Sequence, residues 1–171
     1  MKIENSFWTN LKLLGFDEQK VSAEHGMSFH KDMFHTANQK GSNVILHFLL
    51  CKVDESWQEE FRGIWPVYDK EQAKQFKQLV FKKLEEVEKH SGNLLGPYSG
   101  VRVSILNTCS GDKFYYLLWQ LSNFILKKQI QEVHKQNVTL PDIHIPNDPT
   151  QLKTSFALLS KALKVVMFIC N

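Results

Sequence analysis

The chain has 171 residues, 43% hydrophobic and 12% aromatic, which suits one compact domain and excludes disorder as the main state. Three widely spaced cysteines (Cys51, Cys109 and Cys170) exclude a disulfide scaffold, while eight glycines and five prolines exclude collagen-like and low-complexity chains. The net charge of +3 is unevenly placed, −1 over residues 1–90 and +4 over residues 91–171, which permits an acidic partner without requiring one.

The opening residues carry Lys2, Glu4 and Lys12 where a signal peptide needs an unbroken apolar core, and they lack the arginine-rich character of a transit peptide. The apolar stretch near residue 160 is interrupted by Lys161 and Lys164 and is short for a membrane span. The expectation is a soluble, intracellular chain with reduced thiols, in which the sequon at Asn137 meets no glycosylation machinery.

Helical periodicity dominates. Phe7, Trp8, Leu11 and Leu14 predict a first helix, capped by Asn5 or Ser6 and closed by Gly15 in a left-handed turn. A second helix is expected from about Gln39 to Cys51, with Val44, Ile45, Phe48 and Leu49 on one face. A third, from about Glu55, carries Trp57, Phe61 and Trp65 four apart and must stop before Pro66. Asp69 to Gln72 reads as a capping box, opening a helix with a buried stripe of Phe76, Leu79, Val80, Leu84 and Val87. Three glycines and a proline make residues 91–100 a loop.

Residues 101–108 alternate apolar and polar side chains, as a strand would. With no second strand to pair with, a short helix is the better reading. Ser110 or Asp112 then opens a long helix to about Lys135, with Phe114, Leu117, Leu118, Leu121, Phe124 and Ile125 inward. The expected organisation is a helical domain over residues 1–136, a proline-punctuated linker over 137–149 and a C-terminal helix over 150–171. In that helix Leu152, Phe156, Leu159, Leu163 and Val166 follow coiled-coil spacing, though two heptads suit a plain core helix equally well. The predicted fold class is all-α.

No motif points to catalysis. There is no phosphate-binding loop, no nucleophile elbow and no zinc-protease helix. On a helix His25, His30 and His35 diverge by about 140° per five-residue step, so neither a metal nor a cofactor is expected. The acid pairs Glu59-Glu60 and Glu85-Glu86 read as solvated, and the four tryptophans as core on helical faces. One surface pattern stands out: Lys70, Lys74 and Lys77 recur at helical spacing, opposite the Leu84–Val87 stripe, with Lys82 and Lys83 extending the row. Such a row is either an ordinary solvated face or a contact for an acidic surface. With only two arginines, base reading in nucleic acid is not expected.

An ordered set of motifs resembles the amino-terminal region of the sixth subunit of augmin. It comprises Phe7-Trp8 to Asp17, Met33-Phe34-His35, His47-Phe48-Leu49, Phe61 through Trp65-Pro66-Val67-Tyr68-Asp69 to Phe76, then Val103, Leu106, Gly111, Phe114 and Leu117-Leu118-Trp119-Gln120-Leu121. The likeness covers roughly residues 7–135, and Asp112 departs from it, standing where the family tends to carry proline or another small residue. It implies a calponin-homology-like helical bundle, followed in the family by long coiled coils. It also implies a non-enzymatic part in microtubule binding and γ-tubulin-dependent branching during spindle assembly and cell division. The implied partners are other augmin subunits, notably the calponin-homology-like seventh, then tubulin and, indirectly, the γ-tubulin ring complex. Neither nucleic acid nor membrane is among them. The implied setting is the cytoplasm, cytoskeleton, spindle and centrosome, and the alternative is a domain that pairs with another subunit without touching the microtubule.

Overall fold

In the computed structural model, residues 2–91 and 102–135 are described, and among them every regular element is an α-helix. They are α1 (Ile3–Leu13), α2 (Glu18–His25), α3 (Gln39–Val53), α4 (Trp57–Phe61), α5 (Lys70–Ser91), α6 (Val103–Thr108) and α7 (Gly111–Lys135). The described residues as far as 131 belong to one compact unit. The expected 91–100 loop (apart from Ser91), the linker and the C-terminal helix lie outside the described residues.

α1 starts earlier than its polar residues suggest. Asn5 and Ser6 lie inside it and do not cap it, because the helix begins at Ile3 after an extended Lys2. Its end is as expected: Gly15 adopts φ +86, and the Phe16 and Gly15 N–H groups donate to the Leu11 and Lys12 carbonyls at 2.9 and 3.0 Å. That pair of bonds satisfies carbonyls the helix itself leaves open. The same turn delivers Asp17, whose carboxylate accepts from the Gln19 and Lys20 N–H groups and opens α2. α2 has no buried residue, so it carries no apolar period to reveal it.

α3 is the central helix. Val44, Ile45, Leu46, Leu49, Leu50 and Val53 are all buried, wider than the single face expected, as befits a helix surrounded by others. α7 brings Phe114, Tyr115, Leu117, Leu118, Leu121 and Ile125 into the same core, and α1 adds Phe7 and Leu11. Polar contacts fix the docking: Asn10 Nδ2 donates to Ser122 Oγ and Asn123 Oδ1, both at 2.9 Å. Lys128 Nζ donates to the Val53 carbonyl at 2.6 Å, closing the end of α3. Tyr115 organises the irregular segment between α2 and α3, donating to the Lys31 carbonyl at 2.8 Å and accepting from the Phe34 N–H at 3.0 Å.

The third expected helix is shorter than its tryptophan spacing implies. α4 ends at Phe61, and Trp65 stands beyond it, on a turn, stacked on the His47 ring at 4.2 Å. The capping box before α5 forms with one change: Asp69 accepts from the Gln72 N–H at 2.7 Å, while Gln72 Oε1 returns to the Tyr68 N–H at 2.8 Å. The 101–108 segment is helical from Val103, and its end is unusual because Cys109 holds φ +46. The Cys109 thiol lies 2.9 Å from Ser42 Oγ and 3.0 Å from the Leu106 carbonyl. These bonds hold a non-glycine residue where glycine is usual.

Candidate functional site

The lysine row divides into three groups. Lys70, Lys74 and Lys77 line one side of a groove of about 470 Å³ between α5 and α6, with Gln39 of α3 at one end. On a helix of 100° per residue, Lys77 projects only about 20° from Leu84 and Lys70 about 40°, so the row borders the buried stripe rather than opposing it. That is why α6 reaches it: Lys77 Nζ donates to Asn107 Oδ1 at 2.9 Å. Asn107 is neutral and leaves the ammonium charge uncompensated. Among the described residues no carboxylate lies within salt-bridge distance of Lys70, Lys74, Lys77 or Lys82.

Lys82 is exposed but turned about 120° from Lys70, so it serves a different flank of α5. Lys83 does not belong to the surface at all. Its side chain is 4% exposed, its Nζ sits 2.7 Å from Glu60 Oε1 and 3.2 Å from Glu86 Oε2, and it lies 4.5 Å over the Trp57 ring. Burial alone pushes this ammonium down. The hydrogen bonds and charges of the two carboxylates outweigh it, and the net shift is upward. Glu60 and Glu86, expected to be merely solvated, are thus the partners that let a lysine be buried.

The groove floor was not foreseen. Ala73, Phe81 and Val103 give it an apolar base, and Val103 is 47% exposed. The lysine spacing alone could not find this base, because it depends on where α6 docks.

A second cluster gathers aromatic and imidazole groups. His47 stacks on Trp65 and meets Phe61 edge-on at 5.2 Å, with Cys51 Sγ 3.6 Å from its Nε2 and the His25 ring 5.8 Å from Trp65. Burial, then the neighbouring His25, lowers the His47 pKa to about 4, and burial raises the Cys51 thiol to about 11. At neutral pH both are uncharged, so the pair lacks the thiolate a nucleophile or metal ligand requires. The structure does not bring the three sequence-singled histidines together as a site: His25 ends α2 and faces Trp65, while His35 lies 3.4 Å from Asp32. Among the described residues no group of three or more His, Cys, Asp or Glu could hold a metal ion. No described helix is long and apolar enough to cross a membrane.

Core, caps and groove together define the class: an all-α helical bundle domain. Residues 7–166 match the family described as HAUS augmin-like complex subunit 6 N-terminus, extending past the stretch in which the resemblance is visible by eye. The chain belongs to this family. It is similar to the HAUS augmin-like complex subunit 6 of Danio rerio, 25% identical over 140 residues that cover 79% of this chain and 17% of that protein. The Homo sapiens protein of the same name is 24% identical over 136 residues, 76% of this chain and 14% of its own length. The matched region is therefore less than a fifth of either relative.

Proposed function

We propose that this chain acts as the calponin-homology-like head of an augmin subunit, working by adhesion rather than by chemistry. In this reading it helps seat the complex on microtubules, and so contributes to γ-tubulin-dependent branching during spindle assembly and cell division. Its place is then the cytoplasmic spindle and the centrosome. Family membership supports the complex, and one observation carries the contact: three cations at helical spacing with no carboxylate in range. Tubulin's surface is acidic, so Lys70, Lys74 and Lys77 form the contact, with Lys82 on the flank. Lys83 is excluded by its burial between Glu60 and Glu86.

A second reading is favoured by the apolar groove base at Phe81 and Val103. The head then pairs with another augmin subunit, the seventh being the foremost candidate, without touching the microtubule. Co-sedimentation of the purified chain with microtubules across a salt series separates the two. The first predicts pelleting that weakens as the Debye length falls below about 8 Å. Absence of pelleting at low salt, with capture of augmin subunits intact, supports the second.

A further inference from the structure

The α5/α6 groove combines two features that a purely electrostatic contact does not need together. Lys70, Lys74 and Lys77 recur at i, i+4 and i+7, so their stems start along about 10 Å of one edge of α5. Beside them the half-exposed Val103 and the side of Phe81 form an apolar base. An extended acidic tail would use the charges and leave the base wet. A helix lying in the groove uses both, because its own 3.6-residue period places acids at i, i+4 and i+7 on one edge and apolar side chains on the adjoining one.

From this match we infer that the groove docks an amphipathic acidic helix of a partner protein, with carboxylates on Lys70, Lys74 and Lys77 and an apolar residue seated against Val103 and Phe81. The inference rests on the docking reading of this face and specifies the occupant. The chain's own undescribed segments lack the charge to fill it: residues 92–101 contain no Asp or Glu, and residues 136–171 contain only Asp142 and Asp148. A second copy laid symmetrically in the groove would set lysine row against lysine row, which is repulsive.

The test uses the full chain and two synthetic probes of equal charge. One is a helix-forming peptide with Glu at i, i+4 and i+7 and Leu on the adjoining edge; the other is a Gly/Ser-spaced acidic peptide that cannot form a helix. The helical peptide is expected to bind the more tightly. Its affinity should fall roughly tenfold or more in Lys74→Glu/Lys77→Glu, where attraction becomes repulsion. It should fall about fivefold in Val103→Asn, where part of the apolar base is lost, while the non-helical peptide ignores Val103→Asn. Circular dichroism of each variant checks that the bundle is intact, and Val103 stands at the exposed start of α6, where a polar residue is tolerated.

Equal binding of the two peptides, both indifferent to Val103→Asn but lost in the lysine double variant, overturns the helix and keeps the charged docking face. Loss of neither in the double variant, with microtubule pelleting also unchanged, overturns the face itself. Self-association of the chain that the double variant abolishes places a second copy in the groove and overturns the proposed occupant.

Discussion

Tyr115 shows how much one side chain can organise. Its hydroxyl is buried and bridges the Lys31 carbonyl and the Phe34 N–H, pinning a segment with no helix of its own to α7. Tyr115→Phe leaves both groups unpaired and is expected to cost about 1–3 kcal/mol in urea denaturation. Burial raises its pKa to about 12, above the ordinary value of 10. The neutral phenol therefore contributes fully below pH 10, and the contribution is lost as pH rises toward 12. Wild type should lose stability over that interval more steeply than Tyr115→Phe. His47 titrates in the opposite sense. Its pKa is lowered from 6.5 to about 4, so the neutral ring's contribution is complete above pH 6.5 and is lost as pH falls through 4. His47→Phe, which keeps an aromatic ring against Trp65 and Phe61, should flatten stability between pH 6.5 and 4. An unchanged acid slope in that variant would mean that other groups set it.

Among the helices, legibility tracked burial. α5 and α7 announce themselves because each carries a long apolar stripe, and those stripes are buried in the bundle. α2 has no buried face, and its only signals were Asp17 and Gly26 at its two ends, the latter at φ +60. Trp65 misleads because four-residue spacing from Phe61 imitates a helix, while its packing partner is His47 on α3. The lysine row was legible as a period, but Lys83 was not separable from it. One of its two carboxylate partners, Glu60, comes from α4, 23 residues away, and no local pattern reports such a pairing. Lys83→Met removes the ammonium that lies over Trp57 but fills the buried site with an apolar side chain of similar length, and should stay within about 1 kcal/mol of wild type in thermal unfolding, whereas Lys83→Ala should lose about 1–3 kcal/mol. Near-equal losses in the two would mean that charge, not packing, is what Lys83 contributes. At the start of α5, Asp69→Ala removes the acceptor for the Gln72 N–H and should cost about 1 kcal/mol.

At the scale of the molecule, a helical core built on α3 carries a groove whose basic edge faces solvent and whose base is apolar. The chain belongs to the HAUS augmin-like complex subunit 6 N-terminus family, and in the proposed reading the uncompensated charges of Lys70, Lys74 and Lys77 are what the groove uses to hold a partner. Away from the groove lining, burial holds both His47 and Cys51 in their neutral forms. Contact through one charged edge is thus the central claim. The most direct measurement is microtubule co-sedimentation of the folded Lys74→Glu/Lys77→Glu variant beside Lys20→Glu/Lys89→Glu, which makes the same change of charge away from the groove. Pelleting should fall roughly tenfold in the first and only slightly in the second. Equal pelleting of the two would contradict a role for the α5/α6 edge and leave only unspecific attraction between a basic chain and an acidic polymer.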